Sequence, residues 1–322
     1  MNAIAKCAAA VLAATLTVVI AGCGANPVGN TDSSAVDVDE KSDLADQLPD
    51  EIQDRGKLVI ATNAPYPPLE FFAEDNKTLI GFDIDVGEAL GQLLGIDVEW
   101  KNVAFDAIIP GLDGGRYDIG IAGFGIESER LQSVNFVSYY LNGGGFLVSR
   151  DSEVQAADFE DSLCGLRVAV QKGTSQVERL ERANTYCTGE GKDGVEILQI
   201  PDQNQVALTL TSGRSDAVVA DLAQVEYVAK QASDQLCVSG LYFTPHSLAG
   251  IAIPKRWDGL DEVLQEAVQS LIDSGEYERI ADEWGVVEGA IDESEMFTEP
   301  SQVSSGEKIS PRKPTEGCAS DD

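Results

Sequence analysis

The sequence predicts an α/β protein of two similar parallel-sheet lobes, joined by a hinge that the chain crosses twice, with a cleft between the lobes. Short apolar strands alternate with amphipathic helices, which is the pattern of parallel α/β sheets. The stretch GGRYDIGIA at 114–122 is echoed by SGRSDAVVA at 212–220, which indicates two lobes of similar build. A further strand at 249–254 indicates that the chain leaves the first lobe near 147 and returns to it near 248.

The elements follow one another in a regular cycle. Strands are predicted where short apolar runs are bounded by polar or turn residues, and helices where apolar residues recur every three or four positions. The first cycle has strands over 58–62, 98–100 and 117–123, and helices over 83–94 and 105–112. The second has strands over 166–170, 195–200 and 217–220, helices over 174–183, 202–212 and 222–232, and two closing helices over 260–273 and 275–284.

The ends of the chain are predicted to lie outside the two lobes. In residues 1–22, Lys6 precedes an apolar run that is shorter than the ~20 residues of a membrane span, as is typical of a secretory signal peptide. Few large apolar residues occur over 23–54, which predicts a flexible acidic linker. The complete prediction is lobe 1 over 55–147 and 248–289, lobe 2 over 148–247, and a disordered tail over 290–322.

The stretch IAGCG at 20–24 resembles the bacterial lipobox, in which the cysteine carries the lipid. In this interpretation the mature chain begins at Cys23 and is held by acyl chains on the outer face of the cell membrane. The alternative is a plain secretory signal that is cleaved without lipid attachment.

The chain is strongly acidic, with 22 Lys and Arg against 55 Asp and Glu and a net charge of −33. Such a chain repels nucleic acids and anionic lipid headgroups, which excludes both as binding partners. The acidity fits a well-solvated surface, and adaptation to high salt is a second interpretation.

The six cysteines fit an exported protein. Cys7 leaves with the signal peptide and Cys23 is the lipidation candidate, so four cysteines remain and allow three pairings. Cys164 and Cys187 flank one strand–helix unit, which favours a bridge between them and leaves Cys237 with Cys318. No pair has the CxxC spacing and the chain has a single histidine, so no metal site is expected.

The candidate binding residues are those that follow the strands, because ligands of open α/β sheets bind beyond the carboxyl ends of the strands. Four such stretches are NAPY (63–66), GFGIESER (123–130), QKGTSQ (171–176) and AD (220–221). The second ends in Arg130, a cation just beyond a glycine-rich strand end in a very acidic chain.

Over about 55–287 the sequence resembles the extracytoplasmic solute-binding proteins of ABC importers, in the polar-amino-acid branch with the type II periplasmic-binding fold. The resemblance is carried by several stretches in the same order: KLVIATNAPYPPLEF, LIGFDIDVGEAL, FDAIIPGLDGGRYDIGIAG, ESER with SVNFVSYY, LRVAVQKGTSQ, GRSDAVVAD and SGEYERIADEWG. It implies a monomeric, cofactor-free receptor that binds a free amino acid between two lobes, performs no chemistry and delivers the ligand to the ABC permease subunits.

By position, the resemblance implies that Arg130 holds the α-carboxylate of the ligand and that Asp221 receives its α-ammonium. A guanidinium fork and the free N–H groups at a helix N-terminus both suit a carboxylate. The other residues implied in binding form four pairs. Tyr66 and Phe105 are aromatic walls, and Gly123 and Gly125 make backbone contacts. Thr174 and Ser175 are donors at a helix start, and Asn63 and Gln171 are neighbours of the ligand side chain.

Each of these residues also has a purely structural interpretation. Arg130 could pair with Glu127 on a helix surface. Asp221, Thr174 and Ser175 could serve as helix caps, and Tyr66 and Phe105 could serve as packing residues.

The sequence departs from the family pattern in ways that bear on specificity. Gly125 lacks the hydroxyl that the family often has, and Glu127 stands where a capping Thr is usual, with its role left open. Asn63 stands where members that bind basic amino acids or glutamine often have Asp. A neutral Asn63 and Gln171 favour a ligand with a polar, uncharged side chain.

Two other functions use the same fold. A dehydratase of the cyclohexadienyl or arogenate type would need a carboxylic acid in the cleft, for which Glu127 and Glu70 are candidates. A ligand-sensing ectodomain would need a separate signalling partner. A dinucleotide loop at GFGIES is rejected because the third glycine of the motif is replaced by Ser128.

Overall fold

The computed structural model describes residues 38–154, 159, 161–243, 247–303, 310–312 and 318. The predicted signal peptide and Cys23 lie outside these residues, as does the rest of the linker before residue 38. No helix in the described ranges is long and apolar enough to cross a membrane.

Strands and helices alternate through most of the described chain. In chain order the strands are β1 (Lys57–Thr62), β2 (Phe71–Phe72), β3 (Leu79–Ile80), β4 (Asp97–Asn102), β5 (Ile119–Gly120), β6 (Val134–Leu141), β7 (Gly144–Ser149), β8 (Arg167–Gln171), β9 (Glu196–Ile200), β10 (Ala217–Asp221), β11 (Leu236–Phe243), β12 (Leu248–Pro254), β13 (Met296–Phe297) and β14 (Ser310–Arg312). The α-helices are α1 (Ser42–Ala45), α2 (Asp50–Arg55), α3 (Phe82–Leu93), α4 (Phe105–Asp113), α5 (Ser175–Gly189), α6 (Gln203–Thr211), α7 (Leu222–Gln231), α8 (Leu260–Ser274) and α9 (Glu276–Glu283). Short 3₁₀ helices occur at Arg130–Gln132, Asp161–Leu163, Val287–Gly289 and Pro300–Gln302.

The strands form two six-stranded sheets and one two-stranded ribbon of β2 and β3. The first sheet, in the order β13-β6-β12-β5-β1-β4, is the basis of what we call lobe 1. The second, in the order β14-β11-β7-β10-β8-β9, is the basis of lobe 2. Three neighbouring strands are parallel in each sheet, and the remaining strands join them in antiparallel fashion, so the sheets are mixed where the sequence predicts parallel ones.

The internal echo in the sequence corresponds to the same turn in both lobes. Asp118 accepts a hydrogen bond from the backbone N–H of Val59 at 2.7 Å, just before β5 pairs with β1. Asp216 accepts from the backbone N–H of Arg167 at 2.8 Å, just before β10 pairs with β8. The Gly-Arg-x-Asp stretch therefore sets the register of the third parallel strand in each sheet.

Each sheet carries helices on both faces, which buries most of its central strands and leaves the edge strands β4 and β9 partly exposed. In lobe 1, α3, α8 and α9 pack on one face and α4 on the other. In lobe 2, α5 packs on one face and α6 and α7 on the other. The carboxyl ends of the parallel strands remain free of helices, which leaves room for a cleft there.

The chain crosses between the sheets twice. The first crossing takes only residues 142–143, between β6 and β7, slightly earlier than the predicted position near 147. The return lies between Phe243 and Leu248, close to the predicted residue 248, and residues 244–246 of it are not described. The backbone N–H of Asn142 donates to the carbonyl of Ser247, so the two crossings are joined.

The amino-terminal part of lobe 1 corrects the linker prediction for residues 38–54. Helices α1 and α2 lie in this stretch, and three apolar side chains are buried in the lobe 1 core: Leu44 of α1, Leu48 between the helices and Ile52 of α2. The backbone N–H of Lys41 also donates to the carbonyl of Leu93 at 2.8 Å. Low apolar content misled the prediction, because three well-placed apolar residues are enough to fix two short helices on an existing core.

The carboxyl-terminal region likewise corrects the tail prediction for residues 290–303 and 310–312, while the rest of the predicted tail, apart from Cys318, lies outside the described residues. Strand β13 pairs with β6 at the edge of the first sheet, and β14 pairs with β11 at the edge of the second. Phe297 and Val303 are buried against lobe 1. These residues lack a periodic pattern because single contacts at sheet edges do not require one.

Both predicted disulfides are present. The Cys164–Cys187 bond joins the segment before β8 to the end of α5, with a Cα–Cα distance of 5.5 Å. The Cys237–Cys318 bond ties β11 to a residue near the end of the chain, with a Cα–Cα distance of 5.2 Å.

The buried position of α2 leads to a stability prediction. Ile52 is 0% exposed, so replacing it with Ala should lower the free energy of unfolding by about 2–4 kcal/mol through lost burial and a residual cavity. Urea unfolding of the Ile52→Ala protein measures this. The control is Leu208→Ala on α6, where the side chain is 50% exposed and the change should stay within about 0.5 kcal/mol. A loss below about 1 kcal/mol at Ile52 would mean that α2 is not part of the cooperative fold.

Candidate amino-acid site between the lobes

The ten residues predicted from the sequence all line one cleft between the lobes. Asn63 and Tyr66 follow β1, and the glycine-rich stretch of Gly123, Gly125 and Arg130 follows β5. From lobe 2, Gln171 ends β8, Thr174 and Ser175 open α5, and Asp221 ends β10; Phe105 opens α4 of lobe 1. The cleft contains about 580 Å³ of space free of atoms, part of it open to solvent.

Arg130 is fixed by contacts to both lobes. Its Nη1 donates to the carbonyl of Gly125 at 2.8 Å, and its Nη2 donates to the carbonyl of Gly173 in lobe 2 at 3.1 Å. The guanidinium also lies 5.5 Å from the ring centroids of Phe105 and Phe124. Burial lowers the pKa of Arg130 from its ordinary value, but a guanidinium with such a high starting pKa stays charged. The cleft therefore contains a preoriented cation.

Asp221 is the acidic counterpart in lobe 2. Its Oδ1 accepts from Nε2 of Gln176 at 2.6 Å, and its backbone N–H donates to the Tyr66 hydroxyl at 3.2 Å. Burial raises the pKa of its carboxyl, and hydrogen bonds with Asn142, Tyr66 and Gln176 act in the opposite direction. Asp221 occupies the N-cap position of α7 but makes no side-chain capping bond, so the carboxylate is directed to the cleft and not to the helix.

The aromatic residues form two sides of the cleft. Tyr66 is 6% exposed and reaches the start of α7 through its hydroxyl. Phe105 is 8% exposed and stacks on Phe124 with ring centroids 4.7 Å apart. Phe105 thus contributes to the core of lobe 1 and to the cleft wall at the same time.

The start of α5 presents hydrogen-bond donors to the cleft. Thr174 is the N-cap residue, and its hydroxyl donates to the carbonyl of Gln171 at 2.8 Å without capping the helix. The first N–H groups of a helix have no partner within the helix, so they are available to an anion. A Cβ at Gly125 would lie 3.6 Å from the Ser175 hydroxyl and 3.9 Å from Nη1 of Arg130. A carboxylate in the adjacent space would meet the N–H groups of the helix start, the Ser175 hydroxyl and the Arg130 guanidinium.

Two neutral amides join the lobes at another side of the cleft. Nε2 of Gln171 donates to Oδ1 of Asn63 at 2.7 Å, and Nδ2 of Asn63 donates to the carbonyl of Val103 at 2.7 Å. The oxygen and nitrogen of Asn63 are therefore both engaged, and neither residue brings a charge to the site.

Other contacts hold the lobes together in this closed arrangement. Lys172 of lobe 2 forms an ion pair with Asp106 of lobe 1 at 2.7 Å. The rings of Phe71, in lobe 1, and Tyr227, on α7, have centroids 6.3 Å apart. The cleft is thus closed by contacts along its rim as well as by those of the lining residues.

Comparisons with known proteins identify the family. The model of the bacterial extracellular solute-binding proteins, family 3, matches residues 58–287. The chain belongs to this family. The arginine-binding protein ArgT of Corynebacterium glutamicum is 30% identical over 81% of this chain and 85% of that protein. The L-cystine-binding protein TcyJ of Escherichia coli is 26% identical over 76% of this chain and 88% of its own length. An ancestral arginine-binding protein bound to glutamine is 32% identical in structure-based comparison, with a TM-score of 0.66 over 72% of this chain and 99% of that one.

These relatives of the family 3 protein are named as binding proteins, not as enzymes, which speaks against the dehydratase interpretation. The two candidate acids are also engaged elsewhere. Glu127 pairs with Arg179 of lobe 2 at 3.2 Å, in place of the surface pair with Arg130 that the sequence allowed. Glu70 is directed towards Asp83. Within the described residues, no cluster of His, Cys, Asp and Glu could hold a metal ion.

Glu70 and Asp83 form a buried acid pair behind the cleft of this family 3 protein. Glu70 is 1% exposed and Asp83 is 0% exposed, and the two side chains share a hydrogen bond. One oxygen of each, Oε2 of Glu70 and Oδ1 of Asp83, meets no N–H or O–H donor of another group. A proton on Glu70 satisfies this arrangement, while Asp83 accepts from the Tyr139 hydroxyl at 2.8 Å and from the Gly123 N–H at 3.1 Å. The pair thereby fixes the Gly123 backbone of the cleft.

Several cleft residues were not predicted to bind ligand: Glu70, Asn142, Gln176, Arg179 and Tyr242. Arg179 follows Ser175 on α5 by four positions, so helical periodicity gives a signal that it shares the side of the helix on which Ser175 lies. Gln176 follows Ser175 by only one position, so periodicity gives no such signal for it. Asn142 has no such signal, because its place in the cleft follows from the short crossing between β6 and β7.

The acid pair leads to a pH-dependent stability prediction. Burial raises the pKa of Asp83 from 3.8 to about 7, so this group binds its proton more tightly in the folded state. Its stabilising effect is complete below about pH 4 and is lost as the pH rises through about 7. Relative to Asp83→Asn, the wild type should therefore lose about 2–4 kcal/mol of unfolding free energy between pH 4 and 7, since each pKa unit corresponds to about 1.4 kcal/mol. Urea unfolding at a series of pH values measures the difference, and a difference that does not change with pH would contradict the prediction.

Proposed function

We propose that this protein is the receptor of an ABC importer and binds a free α-amino acid in the cleft between lobes 1 and 2. The observation that carries the proposal is the arrangement of charge. Arg130 presents a guanidinium from lobe 1, and Asp221 presents a half-buried carboxylate from lobe 2. A zwitterion matches both groups at once.

The carboxylate end of the ligand is assigned to Arg130 and to the start of α5. A guanidinium forms paired hydrogen bonds with a carboxylate, and the free N–H groups at a helix N-terminus add a favourable dipole. Ser175 supplies a hydroxyl at the same place, whereas the Thr174 hydroxyl donates to the Gln171 carbonyl and holds the start of the helix. The backbone of Gly125 is free to approach the ligand because no side chain intervenes.

The ammonium end is assigned to Asp221 and the carbonyl of Gly123. A Cβ at Gly123 would lie 3.6 Å from Oδ2 of Asp221, so the two groups face the same space. The Gly123 carbonyl accepts from Nδ2 of Asn142 at 3.2 Å and has a second lone pair for an ammonium. Tyr66 and Phe105 would cover the aliphatic part of the ligand on its two sides.

Ligand binding would stabilise the closed state, since the two charged ends need groups from opposite lobes. A ligand shifts a conformational equilibrium only by its difference in affinity for the two states. An open cleft would offer only one of the two partners at a time. Closure then presents the loaded receptor to the permease, and the receptor itself performs no chemistry.

The side chain of the ligand is proposed to be polar and uncharged. Asn63 and Gln171 bring no charge, and they are already hydrogen-bonded to each other. Arginine, for which two of the three relatives above are named, would require an acidic partner at this side of the cleft. The relatives support an amino acid as the ligand class, and the two neutral amides support the narrower assignment.

The protein is further proposed to work outside the cytoplasm as a monomer, attached to the outer face of the cell membrane by lipid at Cys23. The support is the family's extracellular location and the lipobox-like IAGCG at 20–24. Residues between Cys23 and α1 would then separate the folded lobes from the membrane surface.

The central prediction concerns the two charged residues. Calorimetric titration of the exported domain with each of the twenty amino acids should reveal tightest binding for one with a neutral polar side chain. Arg130→Ala and Asp221→Ala should each weaken that binding by at least ~30-fold, because each leaves a desolvated charge of the ligand without its partner. Arg116→Ala is the control, since this arginine is exposed on lobe 1 and should leave the affinity within about twofold.

Either of two results would contradict the assignment. If Arg130→Ala binds within about twofold of the wild type, then the carboxylate is held elsewhere. If the wild type binds arginine or glutamate more tightly than any neutral amino acid, the assignment of the two charged ends still holds. The proposal that the ligand side chain is uncharged is then wrong.

The lipid anchor leads to a separate prediction. When the full chain is produced in a bacterium, it should fractionate with the membrane and gain the mass of acyl chains at its new amino terminus. Cys23→Ser should abolish both properties, because the lipid has no other attachment point. Cys7→Ser is the matched control within the predicted signal peptide, and intact-mass spectrometry distinguishes the products. If the wild-type protein is soluble and unmodified, the lipid anchor is excluded and the segment is a plain secretory signal.

A further inference from the structure

Glu127 raises a physical question about the amino-acid site. It is a carboxylate only three residues before Arg130, and both side chains line the same cleft. A Cβ at Gly125 would lie 3.8 Å from Oε1 of Glu127 and 3.9 Å from Nη1 of Arg130, so these two charged atoms are within about 8 Å of each other. A carboxylate of the protein at this distance can compete with the carboxylate of a ligand.

Arg179 of lobe 2 engages this carboxylate. Its Nη2 donates to Oε1 of Glu127 at 3.2 Å, and its side chain is only 13% exposed. The guanidinium lies 5.6 Å from the ring centroid of Tyr242, which fixes its position. Arg179 lies one helical turn beyond Ser175, so α5 carries the arginine on the cleft side.

We propose that Arg179 is a positioning residue of the amino-acid site: it holds Glu127 in an ion pair across the cleft and so keeps Arg130 available to the ligand. This inference rests on the function proposed above. It assigns no ligand contact to Arg179 or Glu127. Their pair instead removes an internal competitor and adds one more connection between the lobes.

The balance of charge in the cleft supports the inference. Arg130 and Asp221 match a zwitterion, while Arg179 and Glu127 neutralise each other. Four acidic groups act electrostatically on Arg130, namely Glu127, Asp221, Glu178 and Glu129, and Glu127 has the largest effect. Without Arg179, the side chain of Glu127 would be drawn towards Arg130, the one remaining cation of this group.

The test is a double-mutant cycle with Glu127→Gln, Arg179→Met and the combined variant. All four proteins are titrated with the twenty L-amino acids, and the ligand that the wild type binds most tightly is compared. Arg179→Met should weaken its binding about tenfold or more, because one unpaired charge in a partly buried site changes affinity by about this factor. Glu127→Gln should stay within about threefold of the wild type, and the combined variant should recover to within about threefold as well.

Other outcomes would overturn the inference in distinguishable ways. A combined variant no better than Arg179→Met would mean that Arg179 contacts the ligand itself. A loss above about tenfold in Glu127→Gln would mean that Glu127 receives the ammonium. An Arg179→Met protein within about twofold of the wild type would mean that the pair does not influence the site.

The matched control is Arg182→Met, on the same helix. Its side chain is 63% exposed and pairs with Glu178 at 3.7 Å, so its loss should leave the affinity within about twofold. If the wild type bound no amino acid, the proposed function would fail, and this inference would fail with it. If the wild type bound a ligand and the four proteins bound it equally, only the inference would fail.

Discussion

The structure depends on one electrostatic constraint: charged groups that line a closed cleft must be paired, because desolvation of an unpaired ion is expensive. Arg130 meets this constraint through two backbone carbonyls, one in each lobe. Asp221 meets it through Gln176 and through hydrogen bonds with Tyr66 and Asn142. These partners are neutral, so each charge is solvated by the protein but not cancelled. A ligand with both charges can still gain from both groups.

The fold brings these partners together through a few short segments. The crossing between β6 and β7 occupies residues 142–143, and Asn142 within it contacts the Gly123 carbonyl and the carboxylate of Asp221. Behind it, Asp83 accepts from the Gly123 N–H and the Tyr139 hydroxyl, with Glu70 beside it. The cleft backbone is therefore supported by buried polar groups on the lobe 1 side and connected to the crossing on the other. A change in lobe orientation must alter the surroundings of Asn142.

The sequence predicted the parallel strands and the helices of both lobes because these follow a local period. It predicted the ten cleft residues from the stretches that follow strands together with the family resemblance. It missed β6, β7 and β11, whose antiparallel pairing partners are distant in sequence. It also assigned α1 and α2 to a linker, since Leu44, Leu48 and Ile52 become informative only when the surface they cover is known. Arg179 was not predicted as a cleft residue for a related reason. Its partner Glu127 lies in the other lobe, and no local pattern reports a contact across a cleft.

The contacts that close the cleft differ in kind from those that build the lobes. Each sheet is covered by helices through apolar side chains. Water cannot replace these apolar contacts, so exposing them would cost much free energy. Across the cleft the contacts are mostly polar, such as Gln171 with Asn63 and Lys172 with Asp106. Water can substitute for most of these groups when the lobes separate, so each contributes only about 0–1.5 kcal/mol to closure. A set of weak, exchangeable contacts keeps open and closed states close in energy, and a bound zwitterion can then decide between them.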